Sequence, residues 1–335
     1  MVMDENKIKG LLSIINDEIK EASDLSVSEI CHYTSIDALN GILKDSEFRF
    51  SNVHFMNDPH DGIFFVNMFL DYIEYHLVMS FNYSPHDLSK IKNGDAGKVL
   101  SGVNEIASKY HFRDFLFNYY CFLNWKYFTE ARFRWFGSQV FSMSFSATEE
   151  SQDLPQWRSY ANNCSGVRIN FNVKSLEEGI KKQNSWIQNI WEVKVLKVIY
   201  LNKENSRNIF ERLFAEIKNF YDKFPDISAR NLFFSLDSAI LLFNNITKVD
   251  HYASESEYRL MFDTVVSGVP DINFNVTSDK YAKPYINVNF NTGSISSVVT
   301  GPALDDWHKT SIMMLCAKKI RQDIEVKSSQ IRFRG

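Results

Sequence analysis

Residues 30–61, ICHYTSIDALNGILKDSEFRFSNVHFMNDPHD, predict a strand, a short helix, a second strand and a polar loop. Side chains capable of chemistry crowd the two strand-loop junctions: His32, Tyr33 and Thr34 at the first, and His54, Asn57, Asp58, His60 and Asp61 at the second. Because functional residues are often found on loops that a rigid scaffold positions, this stretch predicts one part of a functional site.

Length and composition place the chain among ordinary globular proteins. It has 335 residues, of which 44% are hydrophobic and 23% are charged. This length is enough for a sizeable core. The net charge of −4 argues against a dedicated nucleic-acid binder, which usually has a basic excess. We expect a single α+β domain over residues 1–335, with a helical insertion at residues 60–137.

The cysteines and the N-terminus favour a cytoplasmic protein. None of the four cysteines has C-x-x-C spacing, so the sequence suggests neither a zinc site nor a redox pair. The first ten residues, MVMDENKIKG, lack the basic and apolar segments of a signal peptide. No apolar run approaches the length of a membrane span. We therefore expect reduced thiols, no metal and no membrane association.

Short strands that are far apart in sequence predict a central mixed or antiparallel sheet with helical insertions. Residues 167–171 alternate with period two, and residues 193–200 also predict a strand. Residues 60–137 contain much of the unusual aromatic content, which totals 28 Phe, 15 Tyr and 6 Trp. We expect these aromatic side chains to pack a helical core, although they also offer a surface for a partner protein.

Two glutamates, Glu255 and Glu257, are the candidate catalytic pair. Residues two apart on an extended strand share a face, so both carboxylates would point into one cleft. Two like charges at short range raise one pKa, which suits acid/base chemistry. The alternative is a solvated edge on which the glutamates pair with Lys248 and Arg259. We favour a functional role, because Tyr258 and Leu260 alternate inward on the other face.

A second strand and the helix after it supply candidate ligand contacts. Ser144 and Ser146 end a strand, where their hydroxyls could bind a ribose or an amide. Trp157 and Tyr160 lie on a short helix and could stack on a ring, although core packing is the commoner role of such residues.

The polar loop allows a different chemistry. His54, Asp58, His60 and Asp61 could hold a divalent metal of the kind that nucleases and phosphatases use. The alternative is a turn, since Asn and Asp bond to their own backbone and a proline follows them.

Ten segments, taken in order, resemble one bacterial family. They are HYTS before a helix, FRFSN, MNDP, FSMSFS, PQWRSYA, SGVRINF, KVIY, ESEYRL, ISSVVTGP and a terminal SSQIRFR. As a set they resemble the family called domain of unknown function 2971, over residues 30–334. The HYT, S-x-S and E-x-E motifs also resemble, more distantly, those of ADP-ribosyltransferases. That resemblance implies a split sheet and NAD as a substrate, with no metal.

The distant resemblance also implies roles. Glu257 would stabilise positive charge at the ribose and Glu255 would help to deprotonate the acceptor. His32 and Thr34 would hold the adenosine side, Ser144 would brace Glu257, and Tyr33 or Tyr160 would stack. The predicted catalytic residues are Glu257 and Glu255, and the predicted substrate contacts are His32, Tyr33, Thr34, Asn57, Asp58, Ser144, Ser146, Trp157, Tyr160 and Arg259.

Three hypotheses for the function follow from these motifs. The first is an NAD-dependent ADP-ribosyltransferase or NAD glycohydrolase, with a protein or nucleic-acid acceptor, as in a bacterial toxin or phage-defence effector. This first hypothesis predicts that His32 and Glu257 line one cleft. The second is a metal-dependent nuclease or phosphoesterase. The third is a non-catalytic module that binds a nucleotide, or a partner protein through the aromatic insertion.

Overall fold

The structure is a computed structural model that describes residues 27–56, 58, 62–91, 111–128, 140–147, 154–187, 193–223, 229–263, 271–276 and 282–331. The chain divides into two compact units. The helical unit comprises Met1–Ala22, Met56–Ser138 and Ile199–Asp250, and the sheet unit comprises Ser23–Phe55, Gln139–Val198 and His251–Gly335. The predicted helical insertion, residues 60–137, therefore accounts for only one segment of the helical unit.

The described residues confirm the α+β class, with a mixed sheet. The strands are β1 (Glu29–Thr34), β2 (Glu47–Asn52), β3 (Val140–Ala147), β4 (Val167–Asn172), β5 (Leu196–Lys197), β6 (Ile199–Leu201), β7 (Thr247–Val249), β8 (Glu257–Asp263), β9 (Asn273–Val276), β10 (Ala282–Asn289), β11 (Ile295–Thr300) and β12 (Glu325–Ser328). The α-helices of the described residues are α1 (Ile36–Asp45), α2 (Phe64–Met79), α3 (Pro85–Lys90), α4 (Phe112–Phe128), α5 (Leu154–Tyr160), α6 (Val173–Gln183), α7 (Lys203–Lys223), α8 (Ala229–Asn245) and α9 (Asp306–Lys319).

The sheet of the sheet unit has ten strands and is split along one edge of β3. Its main order is β12-β11-β4-β1-β3-β2-β10-β9, while β8 pairs with the other edge of β3 and carries β5. Strand β1 pairs with β3 only at Ser146 and Ala147, and β2 pairs with β3 only at Phe141 and Ser142. The residues of β3 between these two pairings therefore face a gap between two groups of strands.

Aromatic side chains fill one side of the gap. Phe48 stacks on Phe290 at 4.0 Å and meets Phe171 and Phe145 edge-on at 5.4 and 6.2 Å. All four rings are buried in the main apolar cluster of the sheet unit. Their contact area and edge-to-face geometry stabilise the split arrangement. We call this side of the sheet the apolar face and the opposite side the polar face.

Helices α2, α4, α7 and α8 form the helical unit together with the short helix α3 and the parallel pair β6–β7. Phe65 of α2 meets Phe243 of α8 at 4.5 Å, and Phe115 of α4 meets Phe233 of α8 at 5.2 Å. All four rings are buried, which confirms that much of the aromatic excess packs a core. No helix in the described ranges has the length and apolar character needed to cross a bilayer.

One predicted strand is wrong in its extent. Residues 193–200 were predicted as one strand, but β5 and β6 are separated at Val198 and have different partners. Strand β5 pairs with β8 in the sheet unit, whereas β6 pairs with β7 in the helical unit. Alternation alone cannot show that a chain passes from one unit to the other within eight residues.

Candidate functional site

The polar face carries a row of directly opposed residues from five neighbouring strands. The strand pairings oppose Ser297 to Asn170, Asn170 to Cys31, Cys31 to Ser146, and Ser146 to Glu257. Directly opposed residues of antiparallel strands have their side chains on the same face. Glu257 and Ser146 therefore lie side by side, as do Arg259 and Ser144 in the next row.

Glu257 and Arg259 form a buried ion pair within strand β8. Arg259 Nε donates to Glu257 Oε1 at 2.8 Å, and Nη2 donates to Oε2 at 3.3 Å. Glu257 is 4% exposed and Arg259 is fully buried. The alternative of a solvated edge is therefore wrong for Glu257, although its predicted pairing with Arg259 is present. The inward positions of Tyr258 and Leu260 are confirmed, because both are buried in the apolar cluster.

The HYT motif divides between the two faces. Tyr33 pairs with Arg168 next to the Asn170–Cys31 pair, so Tyr33 is on the polar face with Glu257. His32 pairs with Ile169 and Thr34 with Val167, and both partners belong to the apolar cluster. The prediction that His32 and Glu257 line one cleft is therefore wrong, and the ADP-ribosyltransferase hypothesis loses the support that this meeting would have given. Successive side chains of a strand point to opposite faces, so the three residues cannot act together on one side.

His32 contacts the backbone of β3 at the gap in the sheet. Its Nδ1 lies 3.0 Å from the carbonyl oxygen of Ser144, which can only accept, so Nδ1 carries the proton in this bond. Its ring meets Phe145 edge-on at 6.0 Å. Burial lowers the pKa of His32, and the hydrogen bond to Ser144 opposes that shift only in part. His32 is thus a neutral side chain that supports Ser144 from the other side of the sheet.

Glu255 is not on the strand that carries Glu257. It ends a 3₁₀ helix, Asp250–Glu255, and Ser256 has a left-handed φ of 44° before β8 begins at Glu257. The predicted i, i+2 relation of the two carboxylates on one strand is therefore wrong. Glu255 instead accepts a hydrogen bond at 3.4 Å from Tyr160, which is 44% exposed. Glu255 is half-buried, whereas Glu257 is enclosed.

Helix α5 covers part of the polar face. Trp157 is 1% exposed and meets Tyr33 edge-on at 5.0 Å. Trp157, Tyr33 and Cys31 belong to a small apolar cluster that is separate from the main core. Because Tyr160 of the same helix contacts Glu255, α5 connects the β1 and β8 sides of this face. The structure thus brings together six predicted site residues: Tyr33, Ser144, Ser146, Trp157, Glu257 and Arg259.

Sequence reasoning missed two polar residues of β4 that share this face. Arg168 is 4% exposed, and its Nη1 donates to the Tyr33 hydroxyl at 3.5 Å. Asn170 is 6% exposed, and its Nδ2 donates to Ser297 Oγ at 2.9 Å. A signal was available, because residues 167–171 (VRINF) place two polar side chains between three apolar ones. Charged and amide side chains are seldom fully buried, so such a strand indicates a polar interior.

Two serine hydroxyls of β3 complete the polar face. The Oγ atoms of Ser142 and Ser144 are buried and have no hydrogen-bond partner among the described residues. Buried polar atoms in folded proteins normally have hydrogen-bond partners. These hydroxyls lie on the strand next to Glu257 and Arg259, where they can bind hydroxyl or anionic groups.

The structure does not assemble the alternative metal site from described residues. His54 lies in a short 3₁₀ helix, Val53–Phe55, and its backbone N–H donates to Asn52 Oδ1. Asp58 is described, whereas residues 57, 60 and 61 lie outside the described ranges. Within those ranges, no group of three or more His, Cys, Asp or Glu side chains could hold a metal ion.

The fold and site define an α+β protein with a split mixed sheet and a buried glutamate on its polar face. Residues 156–260 match the model of a family described as "Protein of unknown function (DUF2971)". The match confirms the predicted resemblance to this family over a segment that contains Trp157, Arg168 and Glu257. No curated protein and no solved structure matches the chain.

Proposed function

We propose that the sheet unit cleaves the bond between nicotinamide and ribose in NAD and transfers ADP-ribose to water or to an acceptor. The observation that carries this proposal is the register of β3 and β8. It puts the buried carboxylate of Glu257 beside Ser146, with Tyr33 and Trp157 on the same face. A fixed carboxylate, serine hydroxyls and an aromatic surface are what a nicotinamide riboside requires.

The chemistry needs a negative charge near the ribose. The C1′–N1 bond breaks, nicotinamide leaves with the bonding electron pair, and positive charge develops on the ribose. A preorganised carboxylate stabilises that charge in a site from which water is excluded. The acceptor oxygen or nitrogen then bonds to C1′ and releases a proton. Glu257 supplies the carboxylate, and the two hydrogen bonds from Arg259 fix its direction.

The other polar groups support this step. Ser146 lies directly opposite Glu257. Among the serine hydroxyls of β3, that of Ser146 is therefore the best placed to bind the ribose beside the Glu257 carboxylate. Glu255, at the half-buried edge of the site, accepts the proton of the acceptor. His32 supports the Ser144 backbone from the apolar face, and this role replaces the adenosine contact that the HYT motif implied.

The test is the release of nicotinamide from labelled NAD by the full chain, with and without candidate protein and nucleic-acid acceptors. We expect Glu257→Gln to lower the rate by about 100-fold or more, because removing one electrostatic contact in such sites costs about that much. Turnover that survives this substitution would overturn the proposal. Thermal unfolding of the variant separates loss of the site from loss of the fold.

Glu255→Gln is the matched substitution, since it also replaces a carboxylate by an amide at the edge of the same site. We expect it to lower transfer to an acceptor by about 10-fold or more, the range of general base catalysis, and to spare nicotinamide release to water. Equal loss of both activities would show that Glu255 is not the base for the acceptor.

A further inference from the structure

Helix α9 of the sheet unit has two faces of different character. Ile312 and Cys316 are buried in the main apolar cluster and hold the helix on the sheet unit. Trp307 and Met314 point the other way: Trp307 is 84% exposed and Met314 is 70% exposed. These two large apolar side chains are seven residues apart, which is about two helical turns, so they lie in line along the helix. An apolar line of this kind on a surface marks a contact with another molecule.

Four exposed residues of α9 form a continuous seam, which we call the α9 seam. They are Trp307, Ser311, Met314 and Lys318, and all four are exposed. Their spacing of four, three and four residues keeps them within about 60° around the helix axis, because successive residues are about 100° apart. The same spacing places the contact positions of two helices that pack along each other in a coiled coil. The α9 seam is therefore built to lie against a second helix.

The α9 seam is symmetric about its own midpoint. If a second copy of the chain pairs its α9 antiparallel to the first, Trp307 faces Lys318 of the second copy, and Ser311 faces Met314. A lysine ammonium over an indole ring is a favourable cation–π contact, and the lysine stem adds apolar area. The small Ser311 leaves room for the long Met314 side chain. Self-complementarity of this kind is what a two-fold interface requires.

The charges at the two ends of α9 select the same arrangement. Asp305 and Asp306 lie at the beginning of the helix, and Lys318 and Lys319 lie in its last turn. Antiparallel pairing puts the acidic end of each helix beside the basic end of the other, whereas parallel pairing would put like charges together. The helix dipoles are also opposed in an antiparallel pair, which favours it further. Charge and shape thus indicate the same partner, a second α9.

We propose that the α9 seam is the contact surface for a second copy of this chain, in an antiparallel two-fold pair of helices. The inference is independent of the proposed function, because α9 carries none of the residues of the candidate site. The seam is about 16 Å long, which is short for a stable interface. We therefore expect a weak and reversible dimer with a dissociation constant of about 10–100 µM.

The experiment is sedimentation equilibrium of the full chain from about 1 to 500 µM, which covers the range of weak self-association. We expect the dimer fraction of wild type to rise with concentration across this range. Trp307→Ala should raise the dissociation constant by about 10-fold or more, because truncating a central tryptophan of an interface has an effect of that size. Phe274→Ala is the matched control, since Phe274 is an aromatic residue of the same unit that is 62% exposed and lies on β9.

A pair of charged variants tests the antiparallel register. Trp307→Glu and Trp307→Lys both remove the indole, but only the glutamate would face Lys318 of the second copy as an opposite charge. We expect the Glu variant to dimerise at least about 3-fold more tightly than the Lys variant at low salt, with the difference shrinking at high salt. General charge repulsion predicts the reverse order, because the chain already has a net charge of −4. Thermal unfolding shows that both variants are folded.

Three outcomes would overturn the proposal. Wild type that stays monomeric up to the highest concentration would show that the α9 seam is covered by a different partner or by another part of the chain. A dimer that Trp307→Ala and Phe274→Ala affect equally would lie on another surface. A Lys variant that dimerises more tightly than the Glu variant would exclude the antiparallel register.

Discussion

Two buried ion pairs, one in each unit, differ in what they connect. In the helical unit, Lys126 of α4 donates to Asp237 of α8, and the Tyr127 hydroxyl donates to the same carboxylate at 3.3 Å. In the sheet unit, Glu257 and Arg259 belong to one strand. The first pair joins two helices that are far apart in sequence, whereas the contact between Glu257 and Arg259 lies within β8.

This difference allows the proposed role of Glu257 to be compared with a structural ion pair. The Lys126–Asp237 pair has one charge of each sign, and its contacts fix the packing of α4 on α8. The contact between Glu257 and Arg259 lies within one strand, and desolvating these two charges is also costly. It also lies on a face with a further buried arginine and with serine hydroxyls that have no partner among the described residues. Under the proposed function, the role of this pair is to direct the Glu257 carboxylate.

The largest expected effect concerns the helical pair. Asp237→Leu leaves the Lys126 ammonium buried without its carboxylate, which should lower the free energy of unfolding by about 3–5 kcal/mol. Lys126→Met should cost less, because burial already raises the pKa of Asp237 and the carboxyl can take up a proton. The double variant should return to within about 1–2 kcal/mol of wild type, with nicotinamide release unchanged. Urea denaturation and the NAD assay measure both quantities.

The corresponding single and double substitutions in the Glu257–Arg259 pair should give a different result. Arg259→Met should destabilise by a similar amount, and the double variant with Glu257→Met should recover much of that stability. Nicotinamide release should not recover, because the carboxylate is gone. A double variant that regained both stability and turnover would mean that the two pairs are equivalent and that the sheet pair is structural.

A smaller effect on stability is expected at Gly166, where the backbone of the sheet unit is closely packed. A Cβ on Gly166 would lie 2.2 Å from the carbonyl oxygen of Thr34 and 2.9 Å from that of Ala161. Gly166→Ala should therefore lower the free energy of unfolding by about 1–3 kcal/mol and weaken ligand binding, since it pushes the end of α5 away from β1. Thermal unfolding and titration with ADP-ribose measure these effects.

Gly41 provides the matched control for that substitution. It lies within α1, and a Cβ there would meet nothing within 4 Å. Gly41→Ala should raise the free energy of unfolding by about 0.5–1 kcal/mol, because alanine favours the helix. If both glycine variants lost stability equally, close packing at Gly166 would not be the cause.

Sequence could predict the strands of the sheet but not the faces of the site. Alternation identified β1, β4 and the Glu257 strand, since each has one apolar set of side chains. The HYT motif was treated as one group, although only Tyr33 could share the face of Glu257. The sequence places Glu255 on the same strand as Glu257, because the left-handed φ of Ser256 has no reliable sequence signal. Both errors concern side-chain direction, which depends on register and local dihedrals.

The grouping of residues 199–250 with the helical unit could not be predicted for a different reason. It depends on the parallel pairing of β6 with β7 and on the packing of α8 on α2 and α4. Strands β6 and β7 are separated in sequence by α7 and α8, and the helix contacts join segments more than a hundred residues apart. A single sequence gives no measure of these contacts. The aromatic content of residues 60–137 showed that a helical core was needed, but not which further helices would complete it.

The smallest expected effect compares one histidine from each unit, His32 and His76. Burial lowers the pKa of both below the ordinary value of 6.5. The native state then binds fewer protons than the unfolded state, so stability is lost as pH falls from about 6.5 through the lowered pKa. For His76, Glu211 opposes the shift and Arg207 adds to it.

His32→Asn tests this directly, because an amide N–H can replace Nδ1 as the donor to Ser144 while the titrating group is removed. The free energy of unfolding of wild type should fall more between pH 7 and pH 5 than that of the variant, by no more than about 1.4 kcal/mol for each unit of pKa shift. His76→Asn tests the same pH dependence in the helical unit, where Glu211 opposes the lowered pKa. A His32→Asn variant with the wild-type pH dependence would show that protonation of His32 does not contribute to the loss of stability at low pH.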